Sequence, residues 1–267
     1  MPSPPGGRPT EDRRGRIFQE VLRSQFVTVV ALARQFDVSE VSIRRNLEQL
    51  EQAGLIKRVH GGAQAVARPG QPSVYDARLM QRVVEKRAVG QAAAGLIRPT
   101  EIVFLDSGTT VLEVARAIPE SLLERGGLTV VTRSLVIAGE LRRFRQVRLV
   151  VLGGVYLHDS DDFVGTQVES ALQGLHVNTL FIGTDGVSPE RGLTTDNVLE
   201  AGLFRQMAAA AERVVVVTDS SKIGASKLQT ILPFAEIHVF VTDASAPPAF
   251  VQMLREKNIA VILASQP

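Results

Sequence analysis

From Ile102 to Leu263, short unbroken apolar runs alternate with amphipathic segments, and this alternation limits the possible folds more than any other feature. The runs are Ile102–Leu105, Leu128–Val131, Val147–Leu152, Thr179–Ile182, Val214–Thr218, Ile237–Val241 and Ile259–Leu263. A strand that is apolar at nearly every position is buried on both faces, which is the mark of a parallel sheet covered by helices. The intervening segments have helical period: Thr110–Ile118, the stretch capped by Ser134 and ending at Leu141, Thr166–Leu175, Val198–Ala211 and Pro248–Lys257. Successive βαβ units therefore predict an open, mostly parallel α/β domain over residues 81–267. A helix rich in Ala and charged residues, from about Met80 to Ile97, leads into it, and Pro99 ends that helix. No internal repeat is visible.

The N-terminal quarter has a different period. Residues 1–10, rich in Pro and Gly, read as a disordered tail. Ile17, Val21 and Leu22 form the apolar stripe of a first helix. Thr28 is a candidate N-cap for a second helix, and Ser39 for a third that runs to about Ala53. In that third helix Ile43, Leu47 and Leu50 share one face, and Gly54 supplies the left-handed position that stops it. Leu55–Val59, the turn His60-Gly61-Gly62 and Ala63–Val66 then read as a β-hairpin. Three helices followed by a hairpin make a winged helix-turn-helix over residues 11–66. The segment 67–80, with Pro69, Gly70 and Pro72, reads as a linker.

Composition narrows the classes further. Apolar residues make up 45% and charged residues 22% of the chain, near the globular average. No run approaches the roughly 18 apolar residues of a membrane span, and Met1–Gly7 lacks a signal-peptide apolar core, so a cytoplasmic protein with no membrane partner is expected. The lack of cysteine excludes disulfide scaffolds, zinc fingers, iron–sulfur clusters and thiol catalysis. The four histidines show no metal-ligand spacing, and no Gly-x-Gly-x-x-Gly or Walker A loop is present, so neither a metal nor another cofactor is expected. Asp159, Asp161 and Asp162 read as a solvated acidic loop. The net charge is only +2, but residues 1–60 carry ten Lys/Arg against seven Asp/Glu, a basic excess that suits a nucleic-acid surface there.

The third helix presents Ser42, Arg44, Arg45 and Glu48 away from its apolar face. A helix of this size fits the major groove of double-stranded DNA, where Arg bonds guanine in a bidentate fork. Ser39 at its start, together with Lys57, Arg58 and His60 of the wing, suits the phosphate backbone. Val38-Ser39-Glu40-Val41-Ser42-Ile43-Arg44-Arg45-Asn46-Leu47, followed by Leu50–Ile56 and Arg58–Ala63, resembles the DNA-binding signature of the DeoR family of bacterial transcription regulators. That family usually has Asp at the place of Asn46.

The remainder is similar to the sensor domain of the same family. Asp106-Ser107-Gly108-Thr109-Thr110 ends a strand and opens a helix, a place where backbone N–H groups, hydroxyls and the positive helix end cradle a phosphate. Gly183–Gly186, Glu190–Thr194 leading to Glu200, and Asp219–Lys222 fall at equivalent strand or loop ends. Together they resemble the sensor and, more distantly, ribose-5-phosphate isomerase, whose fold the sensor shares. The resemblance implies an open sugar phosphate held by Asp185 at its hydroxyls, with Glu200 nearby and Lys222 at its charge. Where the family often has Thr-Asn-Ser, this chain has Thr132-Arg133-Ser134, so Arg133 is a candidate extra phosphate partner beside Ser134. Where the family often has Lys-Arg, it has Phe204-Arg205, which removes a cation.

These features lead to the expectation of a non-enzymatic regulator, a repressor of a carbohydrate-metabolism operon. It would respond to a phosphorylated sugar or related metabolite and work as a homo-oligomer, dimer or tetramer, on palindromic operator DNA. Two other readings exist. One is a sugar-phosphate isomerase fused to a DNA-binding module, with Glu200 and Asp185 as acid–base groups. Against it, the loop after Asp185 lacks that enzyme's second Asp and its Lys-plus-glycine run. The other is a non-specific architectural DNA-binding protein, which leaves the large α/β domain without a purpose.

Overall fold

A computed structural model describes residues 9–24, 26–59, 61–65 and 73–265. The chain divides into two compact units, Met1–Val83 and Val84–Pro267. The first comprises α1 (Pro9–Ser24), β1 (Phe26–Thr28), α2 (Val29–Gln35), α3 (Glu40–Gln52), β2 (Ile56–Val59), β3 (Gly62–Ala65) and α4 (Val74–Leu79). Thr28 Oγ1 accepts from Ala31 N, and Ser39 Oγ from Ser42 N, so both expected N-caps are present. At the far end of α3, Gly54 adopts φ +70°. Its N–H donates to the Glu51 carbonyl and that of Leu55 to the Leu50 carbonyl, a Schellman closure that sends the chain directly into the wing. Ile17, Phe18, Val21, Leu32, Ile43, Leu47, Leu50 and Ile56 form one buried cluster with Met80.

Three features of this unit differ from the sequence reading. Helix α1 begins at Pro9, inside the segment read as a tail; proline suits a first helical turn because its missing N–H has no partner there. Strand β1, only three residues long, pairs antiparallel with β3 and makes the wing a three-stranded sheet. Within the segment read as a linker, α4 is helical, opened by a capping box between Ser73 and Asp76. Residues 1–8, His60, Val66 and the segment 67–72 lie outside the described residues.

The second unit opens within α5 (Val83–Ala94), which starts later than the expected helix because Arg82 takes a positive φ. Then follow β4 (Ile102–Leu105), α6 (Thr109–Ala117), α7 (Glu120–Arg125), β5 (Thr129–Thr132), α8 (Leu135–Leu141) and β6 (Arg148–Val151). A hairpin of β7 (Val155–Leu157) and β8 (Asp162–Val164) leads to α9 (Thr166–Leu172) and β9 (Val177–Ile182). Strands β10 (Gly186–Ser188) and β11 (Gly192–Thr195) precede α10 (Val198–Ala209), β12 (Ala211–Val217), β13 (Gln229–Leu232), β14 (Val239–Asp243), α11 (Pro248–Glu256) and β15 (Ala260–Ala264).

Seven strands form one wholly parallel sheet in the order β15-β14-β12-β9-β4-β5-β6. Phe104, Leu180, Val216 and Phe240 of its strands are fully buried and share a core with Leu203 and Met207 of α10 and Leu254 of α11. The small antiparallel sheet β10-β11-β13 and the β7–β8 hairpin were not foreseen, since strands of three or four residues are too short to show a period of their own. Among the described residues no helix is long and apolar enough to cross a membrane.

Gly90 of α5 sets a packing limit. A β-carbon there would lie 2.5 Å from the backbone of Glu113, so α5 and α6 touch where only hydrogen fits. Gly202 of α10 has open space around it. Gly90→Ala should lower stability to urea by about 1–3 kcal/mol although alanine favours helix, because a backbone must move. Gly202→Ala should raise it by about 0.5–1 kcal/mol. Equal effects from the two changes would show that helix propensity, not the α5–α6 contact, governs Gly90.

Candidate functional site

Strand β4 is the pivot of the parallel sheet. From it the chain steps outward through β5 and β6, then returns to pair β9 against its other side. Such a reversal opens a crevice at the carboxyl ends of the two central strands, where ligands of open α/β sheets bind. The loops after β4 and β9 meet there, with the Gly183 side-chain position 3.8 Å from the Ser107 carbonyl. Gly108 turns the chain into α6 with φ +108°, a conformation that side chains rarely allow, and its own β-carbon position faces open space. No side chain caps α6. The first amides of a nine-residue helix, Thr109 and Thr110 among them, are therefore placed for an anion.

Arg133, directly after β5, lies beside the loop that follows β4 and is fully buried. Its Nε donates to Asp106 Oδ1 at 2.6 Å and its Nη1 to Asp162 Oδ2 at 2.6 Å. Nη1 also reaches the Phe163 carbonyl at 3.4 Å, and Nη2 donates to Ser107 Oγ at 2.9 Å. Glu200 Oε1 of α10 stands 3.6 Å from Nη2, and the Phe204 ring lies 5.7 Å from the guanidinium. The expected extra phosphate partner is thus turned inward, with its donors committed to carboxylates, a carbonyl and a hydroxyl. An incoming anion would have to displace one of them. Phe204, read as a lost cation, instead gives this internal cation an aromatic face.

Asp162 corrects the reading of the acidic loop as solvated. Its carboxylate is fully buried, accepting from Arg133 and Ser160, while the nearly buried Asp161 accepts from the Tyr156 hydroxyl. The hairpin is stitched to β5 by Phe163 N donating to the Arg133 carbonyl and Leu135 N to that of Asp161. In the sequence this strand shows only as Asp162-Phe163-Val164, too short a run to mark a strand.

The other expected site residues occupy the neighbouring strand ends. Ser134 is fully buried and caps α8 by accepting from Ile137 N. Asp185, following β9, accepts from Thr195 Oγ1 at 2.8 Å. Lys222, in a short 3-10 turn after β12, is half-buried and has no ion-pair partner among the described residues. That turn is held by buried Asp243, which accepts from Ser220 N and Oγ, and by Asp219, which accepts from Ser221. Asp243, outside the sequence reading, sits at the end of β14, so the support for Lys222 comes from a strand far along the chain. Two strand spacings, about 10 Å, separate the end of β12 from that of β4, a gap that a long lysine and a small anionic ligand can close.

Three carboxylates around one guanidinium leave an excess of negative charge. Burial pushes the Asp106 carboxyl up against the pull of Arg133. Burial also lifts Glu200 to about 7, opposed by Arg133 and helped by Asp162, Asp106 and Asp185. Its Oε1 is buried and accepts no hydrogen bond. Arg133 is held above its ordinary value, because the three carboxylates outweigh the burial that disfavours its charge.

In the first unit, α3 turns Ile43, Leu47 and Leu50 into the core and leaves Arg44, Arg45 and Glu48 exposed. Ser42 is half-buried, and Ser39 spends its hydroxyl oxygen on the cap. Buried Asn46 donates to the Ser42 carbonyl at 2.7 Å, which makes it a helix-internal group. Arg44 pairs with Glu40 at 2.6 Å. Lys57 and Arg58 are exposed on β2, where Glu51 accepts from Arg58 N.

A carboxyl whose folded value is raised binds its proton more tightly than in the unfolded chain, so its contribution to stability falls as pH rises from about 4.5 to 7. Glu200→Gln removes that loss. Its stability relative to wild type should therefore climb between pH 5 and 8 by up to about 3 kcal/mol and then level off, as followed by urea unfolding. A difference independent of pH would show that Glu200 titrates normally.

Two family models match the chain: a DeoR-like helix-turn-helix domain over residues 13–68 and a DeoR C terminal sensor domain over residues 81–244. A putative aga operon transcriptional repressor of Escherichia coli O157:H7 is 36% identical over 260 residues, covering 96% of this chain and 95% of the relative. The transcriptional repressor AccR of Agrobacterium fabrum (strain C58) is 32% identical, with 93% and 95% covered. The HTH-type transcriptional regulator GlpR of Haloferax volcanii is 33% identical, with 94% and 96% covered. Among solved structures, the full-length sorbitol operon regulator SorC of Klebsiella pneumoniae is matched with a TM-score of 0.41 at 11% identity, over 90% of this chain and 98% of that one. Ribose 5-phosphate isomerase A of Methanocaldococcus jannaschii is matched at 0.38 and 18%, over 52% and 53%. Both structural likenesses are too low to bear on function. The sequence matches span both units, and the chain belongs to the DeoR family of DNA-binding transcription regulators.

Proposed function

We propose that this chain is a repressor of a carbohydrate-metabolism operon, and that a phosphorylated sugar or related metabolite bound in the second unit weakens its hold on operator DNA. The observation that carries this reading is the uncapped start of α6 at the switch point, with Asp185 and the cation of Lys222 at neighbouring strand ends and the unsatisfied carboxylate oxygen of Glu200 on α10. Ser107, Gly108, Thr109 and Thr110 take the phosphate. Arg133 and Asp106 hold the loop beneath it, with Ser134 fixing α8 behind. The named functions of relatives that align from end to end, two of them repressors, support the regulatory part. On the same reading α3 enters the major groove with Ser42, Arg44 and Arg45, while Ser39, Lys57, Arg58 and His60 meet phosphates. The protein acts in the cytoplasm as a dimer or tetramer matched to a two-fold operator. It senses the ligand without converting it, so ribose 5-phosphate should remain unchanged in its presence.

Calorimetry against a panel of sugar phosphates and their dephosphorylated forms tests the ligand. Lys222→Ala should cost on the order of 1.5–3 kcal/mol, and Gly108→Val should block binding, while both variants still bind operator. Equal affinity for the two forms of the ligand, or wild-type affinity in both variants, would make the loop a plain helix start.

Operator binding is tested separately. Arg44→Ala and Arg45→Ala should each weaken specific binding by roughly 1–3 kcal/mol, and Lys57→Ala should weaken all sequences alike with a shallower salt dependence. Undiminished operator affinity in both arginine variants would remove α3 from the groove.

A further inference from the structure

Val41 stands apart on α3. It is 72% exposed, more than any other large apolar side chain described in the chain. It occupies the second position of the helix, between Glu40 and Ser42, just inside the Ser39 cap. With Arg44, Arg45 and Glu48 it forms an i, i+3, i+4, i+7 series, one continuous exposed stripe opposite the buried Ile43, Leu47 and Leu50. Folding does not explain a valine there. Its branched side chain lowers helix propensity, and it buries almost nothing in return. A solvated stripe would be better served by Glu, Gln or Ala.

A valine beside two arginines does suit the floor of the major groove. Base edges are met mainly by residues near the start of a recognition helix, which is where Val41 lies. The groove offers one apolar feature, the C5-methyl group of thymine, which takes an aliphatic partner while guanine O6 and N7 take Arg. The ion pair between Arg44 and Glu40 runs from one turn to the next and leaves the Val41 methyls uncovered. We infer that Val41 is a specificity-determining residue that recognises a thymine methyl next to the guanine read by Arg44 or Arg45. This rests on the reading of α3 as the helix that enters the groove.

The test begins from DNA that the protein itself selects. Duplexes enriched by the full-length protein from a random library are remade with each thymine replaced in turn by deoxyuridine, which removes only the methyl group. Wild type should lose about 3- to 10-fold in affinity at one thymine per half-site, whereas Val41→Ala should bind the methylated and unmethylated duplexes equally. Val41→Ala should also unfold at a higher temperature than wild type, a change that a packing role would reverse. Val41→Ile should keep the preference for thymine. If wild type is indifferent to every deoxyuridine, or Val41→Ala shows the same losses, Val41 reads no methyl group. Arg44→Ala and Arg45→Ala on the same duplexes separate the two ways of failing. If they lose affinity, only the role of Val41 falls; if they do not, α3 is not in the groove.

Discussion

The sensor unit is organised around a charge that water cannot reach. Moving a guanidinium from solvent into a protein interior costs several kcal/mol, and the cost is recovered only when its donors are met with good geometry. Arg133 meets that condition by drawing on separate parts of the chain: Asp106 and Ser107 after β4, Asp162 and Phe163 in the hairpin, and Glu200 on α10. Those elements are far apart in sequence, and the guanidinium fixes their relative positions at the open end of the sheet. The Phe204 ring, on the same helix as Glu200, closes one side. The loop proposed to hold a phosphate is thus braced by an arginine whose donors are already met within the protein.

The two units divide the work along physical lines. Reading DNA calls for a small rigid body with an exposed helix, and the Ser39 cap, the Gly54 stop and the Ile43–Leu47–Leu50 face provide it. The proposed sensing of a metabolite calls for convergent loops on a stable platform, and seven parallel strands provide that. The platform sets strand ends side by side, so the groups of the proposed site are drawn from the ends of β4, β5, β9 and β12 and from α10.

Much of this is legible in the sequence, and the exceptions share a cause. Strands such as Ile102–Leu105 and Val214–Val217 show themselves because both faces are buried. The helix starts at Thr28 and Ser39 show themselves because capping has its own chemistry. Strands β1, β7, β8, β10 and β13 are short, and what defines them is the partner rather than any period of their own. Asp106–Thr110, Asp185 and Lys222 are visible as motifs at strand ends, and Glu200 as the acid of the helix that follows β11. The burial of Asp162 is not, because an acidic cluster reads as solvated until its counter-charge is known. Arg133 is a similar case: sequence shows a cation near the Asp106–Thr110 loop but not the carboxylates that surround it.

The pairing of Arg133 with Asp162 is therefore the point at which the account is most exposed. A double-mutant cycle with Arg133→Met and Asp162→Leu, followed by urea unfolding of the full chain, tests it directly. Removing one partner of a buried pair strands the other, so each single change should cost about 3–5 kcal/mol. The double variant should be more stable than the sum of the singles implies, by at least about 2 kcal/mol. Single effects that add to within about 0.5 kcal/mol would mean that the two groups do not interact, and that the site is not built around a buried arginine.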